Sequence, residues 1–229
     1  MMRVEFNGQK IEDLQFLPEQ GFSNINYTFI FDKKKYLLRQ FKLQDRDRQL
    51  EFDVQTLVCS KGLAAKPYEL NLAEGYMICD FLEGHHKEKL EKENIAQVVQ
   101  VLKILHRLHI EQPVLDIKKE FSVFSTELKE AFEVIDNTPK ETVLCHNDLN
   151  PKNLIFLDRS LKLIDWEFAG MNDRYFDLAA LSVEFNFELL DDAYMLALYF
   201  GKEGWNKEKL DAYKVVYKAL CQQWFHENT

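Results

Sequence analysis

Three oxygen-bearing side chains in one stretch, Asp148, Asn153 and Asp165, have the types and spacing to do chemistry. They lie within Val143 to Phe168, VLCHNDLNPKNLIFLDRSLKLIDWEF. Mg²⁺ takes an octahedral shell of hard oxygens and draws only one or two carboxylates from a protein, leaving the rest to water and phosphate. Asn153 and Asp165 could supply that small share. Asp148, five residues before Asn153, would then face an acceptor hydroxyl instead of the metal. A single Asp in a strand-ending turn is ordinarily a solvated turn former, but here His146, Asp148, Asn153 and Asp165 agree, each in the local context the chemistry requires.

The elements that must carry these residues are short and β-rich. Apolar Val143-Leu144-Cys145 runs into a polar turn from His146 to Asn153. Leu154 to Leu157, a turn at Asp158-Arg159-Ser160, and Leu161 to Trp166 follow. His-x-Asp-x-x-x-x-Asn, then an apolar strand and an Asp, is the catalytic-loop and metal-Asp layout of kinases. CHNDLNPKNLIF and LIDWEFAGMNDRYFDLA resemble the phosphotransferases that include aminoglycoside, thiamine and choline/ethanolamine kinases. Asn147, IDWEFAG, Asn172 and FDLA are most similar to the choline/ethanolamine branch, and the resemblance is densest between residues 143 and 187. It implies an α+β, protein-kinase-like fold of two lobes, with an N-lobe over residues 1–80 and a C-lobe over residues 81–229. It also implies ATP and Mg²⁺ as cofactors, with His146 bracing the loop.

Residues 1 to about 80 read as a small β-rich region. Leu14–Leu17 predicts a strand, Gly21-Phe22-Ser23-Asn24 a turn, Ile25–Phe31 a second strand, and Tyr36–Phe41 a third after a turn at Asp32–Lys35. A Gly-containing loop between strands can offer backbone N–H groups to phosphate oxygens, although Gly in a hairpin turn is usually structural. The resembling families carry a Gly-x-Ser/Thr-Asn segment here, which implies Gly21, Ser23 and Asn24 as nucleotide-loop residues. Arg39 is the cation of the third strand, where kinases place a Lys on the α/β phosphates, and its fork suits bidentate phosphate contact. A helix over Asp45 to about Lys61, stopped by Gly62, should provide the paired carboxylate. Glu51 is favoured over Asp53 by its distance from Gly62-Leu63, as in the family. Pro67–Leu72 and Tyr76–Phe81 predict a hairpin, and GYMICDFLEG resembles the inter-lobe crossing, implying Cys79, Asp80 and Phe81 beside adenine.

Beyond His85 the pattern turns helical: Asn94–Ile110, Phe121–Ile135, Leu178–Phe187, Asp191–Phe200 and Asn206–Phe225, with Gly170–Asp173 a polar turn. His106 and His109 lack companions at metal-ligand spacing and read as helix-end histidines. Asp177 fits the family's FD position, which braces the catalytic loop, and reads equally as a helix N-cap. A cationic acceptor would suit aromatic faces and carboxylates. Trp166, Glu184 and Trp224 are candidates, Glu184 because choline kinases carry an acid at the matching position. Those kinases usually continue into helices bearing paired tryptophans, whereas Trp205 and Trp224 here are far apart.

The composition bounds these expectations. A hydrophobic fraction of 46% with 18 Phe excludes a disordered chain. The net charge of −9, from 38 acidic and 29 basic residues, argues against a nucleic-acid surface and is compatible with a cationic small molecule. Cys59, Cys79, Cys145 and Cys221 are dispersed, which predicts reduced thiols in a cytoplasmic protein. No leader-like segment opens the sequence, and no apolar run reaches the roughly 18 residues of a membrane span. The expected activity is transfer of the ATP γ-phosphate to a small alcohol, choline or ethanolamine first, with thiamine, a sugar or an aminoglycoside second. A nucleotide-binding pseudokinase is the reading from another class, and intact Asp148, Asn153 and Asp165 count against it. Oligomeric state is not specified.

Overall fold

The computed structural model describes residues 3–18, 23–43 and 46–228. Gly21 of the expected nucleotide loop and Asp45, the expected start of the first helix, lie outside the described residues. The chain divides into two compact units. One runs to His85 and includes Leu157–Glu167; the other comprises His86–Phe156 and the chain from Phe168 onward.

The first unit opens with a hairpin, β1 (Glu5–Phe6) and β2 (Gln9–Lys10). A five-stranded antiparallel sheet follows, made of β3 (Gln15–Phe16), β4 (Asn24–Phe31), β5 (Lys34–Phe41), β6 (Pro67–Asn71) and β7 (Tyr76–Asp80), in the order β3-β4-β5-β7-β6. The β4–β5 turn is two residues long, with Asp32 and Lys33 at φ +48° and +65°, the mirror-image turn whose twist matches a hairpin. It fixes the register so that Asn26 faces Arg39. Val4 and Phe6 join Phe29, Tyr36, Leu38, Tyr76 and Ile78 in one buried cluster. Val4 and the β1–β2 hairpin therefore help cover the sheet, with strands that the sequence alone does not predict.

Helix α1 (Arg48–Cys59) starts at an Asp47 cap that accepts from Leu50 N at 2.9 Å, and it buries Glu51, Val54, Gln55 and Val58. Gly62, at φ +74°, turns the chain back after it. Leu63 O then accepts from Leu163 N at 2.8 Å, and Ala64 bridges Leu163 in parallel. That pairing is why Leu157–Glu167 belongs to this unit and not, as the 1–80/81–229 division expects, to the second.

The second unit contains α2 (Lys92–Leu105), α3 (Thr126–Asp136), α4 (Arg174–Glu184), α5 (Leu189–Phe200) and α6 (Lys207–Asn228). An antiparallel pair, β8 (Thr142–Cys145) with β11 (Gly170–Asp173), is laid among them; β9 (Leu154–Leu157) and β10 (Ser160–Leu163) lie between these two strands in sequence. The expected polar turn at Gly170–Asp173 is thus a buried strand: the polar side chains Asn172 and Asp173 satisfy themselves on neighbours, so the segment can be interior. Asp173, not Asp177, caps α4, accepting from Tyr175 N at 3.0 Å. Helix α6 packs against α3 and α4. Its Lys209, only 2% exposed, donates to Pro139 O at 2.6 Å and pairs with Asp173 at 2.7 Å. Among the described residues no helix is long and apolar enough to cross a membrane.

Candidate active site

In the second unit, the turn after β8 is held open by a buried carboxylate. Asp177, 0% exposed, accepts from His146 N at 2.9 Å, Asn147 N at 2.8 Å and His106 Nε2 at 3.0 Å. Burial alone would raise its pKa, but the hydrogen bond and charge of His106 and the field of His146 hold it below the ordinary carboxylate value. His106 Nδ1 meets Tyr199 Oη at 2.6 Å, so the brace reaches α5. Asn147 sits at φ +67°, a left-handed conformation that Asn tolerates better than most residues. Its amide donates to Phe168 O at 2.9 Å and accepts from Asn172 Nδ2 at 2.8 Å. Cys145, His106 and Asp177 bring possible metal-ligand atoms within 4.8 Å of one another. Burial pushes the Cys145 thiol well up, and His106 and Asp177 are spent on the brace, so the trio is structural.

Asp148 emerges from that braced turn. Asn150 Nδ2 donates to both carboxylate oxygens, at 3.0 and 3.1 Å, and Asn153 Nδ2 donates to Oδ2 at 2.7 Å and to the main-chain oxygen at 2.9 Å. The Pro151–Asn153 turn makes this possible by returning Asn153 toward Asp148, with Asn153 N donating to Asn150 O at 3.0 Å. Asn150 is a clamp that the sequence reading missed; its place two residues after Asp148 was the available sign. Spending its amide nitrogen on Asp148 leaves the Asn153 Oδ1 without a hydrogen bond among the described residues.

In the first unit, Arg39 is buried between two carboxylates. Nη1 donates to Glu51 at 2.7 Å and Nη2 to Asp165. Burial opposes its charge, yet Asp165 and Glu51 more than offset that and hold the guanidinium above its ordinary value. Asp53 faces Gln49 instead, at 2.9 Å. Turned to satisfy both of its ends, the Asn24 amide accepts from Arg39 Nη2 at 2.7 Å and donates to Ser23 O at 3.1 Å. Arg48 joins Glu51 at 2.6 Å and Glu167 at 3.1 Å, and Glu167 also takes a hydrogen bond from Ser23. Burial and Asp165 raise the Glu167 pKa, with Ser23 and the two arginines working against them. Arg48 and Glu167 were not singled out from sequence; Arg48, one helical turn before Glu51, was in position to be. Asp165 stands at φ +66°, strain of the sort found where a side chain must be aimed.

The three residues expected beside adenine, Cys79, Asp80 and Phe81, lie at and just beyond the end of β7. Burial and its place in β7 turn Cys79 inward, with the thiol pushed up to about 12. Asp80 gives its N–H to Lys66 O at 2.9 Å, and its Oδ1 meets Lys34 Nζ at 2.5 Å and accepts from Tyr68 Oη at 3.0 Å. Phe81 lies under Lys35 Nζ at 3.9 Å. Trp166, at 1% exposure, is a core ring with no face to offer an acceptor. Glu184 ends α4 half-buried and accepts from Tyr217 Oη of α6 at 2.9 Å. Tyr217, Cys221 and Trp224 fall on one face of α6 by helical spacing. Tyr217 is another residue that sequence reasoning passed over.

Asp165 in the first unit offers a carboxylate and Asn153 in the second an unspent amide oxygen, each a hard donor of the kind Mg²⁺ takes. Solved structures share this fold. Choline kinase LicA from Streptococcus pneumoniae superposes with a TM-score of 0.80 at 21% identity, covering 93% of this chain and 84% of that one. LicA in complex with AMP gives 0.76 at 23%, over 95% and 83%. The fold is therefore kinase-like. In sequence, protein LicA of Haemophilus influenzae is 25% identical, over 91% of this chain and 68% of that protein. The model of the phosphotransferase enzyme family, APH, matches residues 15–213, and the chain belongs to that family.

Proposed function

We propose that the chain transfers the γ-phosphoryl group of ATP to the hydroxyl of a small cationic alcohol, choline or ethanolamine. The observation that carries this reading is the clamped Asp148 carboxylate, fixed by Asn150 and Asn153 in a loop braced from beneath by Asp177. Phosphoryl transfer asks a protein mainly for alignment and charge neutralisation. Asp148 receives or orients the acceptor's hydroxyl proton as that oxygen bonds to phosphorus and the bond to the ADP oxygen breaks. Arg39, steadied by Glu51, orients the α/β phosphates, with Ser23 and Asn24 on the covering loop. Asn153 and Asp165 are the residues that would hold Mg²⁺, which would supply positive charge to the phosphate oxygens. We assign the nucleotide residues to the first unit and the acceptor residues, Glu184 and Trp224, to the second. Use of ATP, with four dispersed cysteines, supports a cytoplasmic location. Relatives whose names include choline kinase support the acceptor.

The test offers choline, ethanolamine, thiamine and kanamycin in parallel and measures ADP release. Stimulation by choline or ethanolamine is expected, and its absence sinks the acceptor assignment. Asp148→Asn should lower kcat by about 10²–10⁴ with MgATP affinity preserved; equal loss of both would mean that Asp148 has another role.

A further inference from the structure

The buried carboxylates Asp173 and Asp192 of the second unit come with lysines, Lys209 at 2.7 Å and Lys214 at 2.8 Å, and Asp177 with the His106 imidazole at 3.0 Å. Glu184 breaks that rule. Among the described residues no Lys, Arg or His pairs with it, and its one hydrogen bond comes from Tyr217. Asp148 is close enough for its negative charge to oppose ionisation of Glu184. Two carboxylates thus share a neighbourhood in which Glu184 has no protein cation to offset desolvation, an arrangement that is costly until a positive charge arrives.

The Tyr217 hydroxyl decides where that negative charge points. It reaches Oε1 of Glu184 at 2.9 Å across the α4–α6 contact. Its own acidity is strongly suppressed, first by burial and then by Cys221, Asp148 and Glu184, so it stays a donor at any working pH. Its ring is in turn fixed edge-on against Phe176 at 5.7 Å. A rigid donor on one carboxylate oxygen leaves the other available to a ligand.

Resting on the alcohol-kinase reading above, we propose that Tyr217 is a positioning residue for acceptor selection: it aims Glu184 as the counter-charge for a cationic head group, so the pair favours cationic alcohols over neutral ones. Tyr217 touches none of the reacting atoms in this scheme.

The experiment compares kcat/KM for choline with that for its neutral isostere, in which carbon replaces the quaternary nitrogen. Tyr217→Phe should lower the choline-to-isostere ratio about tenfold, through KM for choline, with KM for ATP unchanged. Glu184→Gln should lower the ratio further, and the double variant should match Glu184→Gln, because Tyr217 acts only through Glu184. A ratio unmoved in Tyr217→Phe, or additive losses in the double variant, would overturn the inference and leave the bond as a simple helix tie. Should Tyr217→Phe fold poorly, the isosteric Glu184→Gln carries the test, and an unchanged ratio there overturns the inference too. Calorimetric titration of choline against its isostere, with MgADP present, reads the same preference without turnover. Glu184-dependent choline binding in a protein that never phosphorylates choline would keep this inference and remove the kinase reading.

Discussion

Replacing Asp177 by Asn tests how the catalytic turn is held. The carboxylate accepts from two main-chain N–H groups and one imidazole, with no access to water. Asn keeps the shape but turns one acceptor into a donor. His146 N and His106 face Oδ2, and Asn147 N faces Oδ1, so either orientation of the amide points NH₂ at a backbone N–H. One buried unpaired N–H costs about 1–3 kcal/mol, and the surviving bonds lose their charge assistance at about 1 kcal/mol each. Relief from burying a charge offsets part of this. The expected net loss is about 2–4 kcal/mol. Because the folded-state pKa of Asp177 is depressed, its contribution is complete above the unfolded carboxylate value and disappears as pH falls through the folded one. Urea unfolding should therefore show a constant gap between wild type and Asp177→Asn near neutrality that closes only on the acid side of the ordinary Asp range. The turn would also loosen, and a shift of about 1 Å in Asp148 should cost about 10²-fold in kcat. A gap below about 1 kcal/mol at neutral pH, or one that widens with acid, would refute the reasoning.

Two other outcomes follow from the ion pairs. Glu51→Gln leaves Arg39 held by Asp165 and frees Arg48 toward Glu167, so KM for ATP should rise about tenfold while the choline KM holds; kinetics with each substrate varied in turn would check it, and an unchanged ATP KM would remove Glu51 from the nucleotide site. Glu184→Gln should raise the thermal midpoint at neutral pH while impairing choline use. Burial and Asp148 raise the Glu184 pKa, so the wild type loses stability as pH climbs past the unfolded Glu value, and the amide escapes that loss. Melting curves from acid to neutral pH should show the variant's advantage growing with pH; a fixed or shrinking advantage would contradict the assignment of Glu184 as an uncompensated carboxylate.

Local sequence determined much of this protein. The β4–β5 hairpin was legible because Asp32-Lys33 can take left-handed dihedrals between alternating runs, and α1 because an apolar stripe ends at a Gly able to adopt φ +74°. The loop around Asp148 was legible because His146, Asp148 and Asn153 fall within one short turn, where fixed spacing sets which side chains can meet. Elements whose polarity is satisfied at a distance were misread: Gly170–Asp173 looks like a turn until β8 and the Asn147–Asn172 bond make it a strand. Asp177 was expected to brace the loop and does, through His146 N and Asn147 N, but its third partner, His106, is 71 residues away and no local pattern gave it. Only the tertiary structure assigned Leu157–Glu167 to the first unit, paired Arg48 with Glu167, clamped Asp148 with Asn150, and left Glu184 with Tyr217 and, among the described residues, no cation. Propensity and spacing act over a few residues, whereas the partner of a buried charge is chosen by whatever packing brings within about 3 Å of it, and that choice is written in no single stretch of the chain.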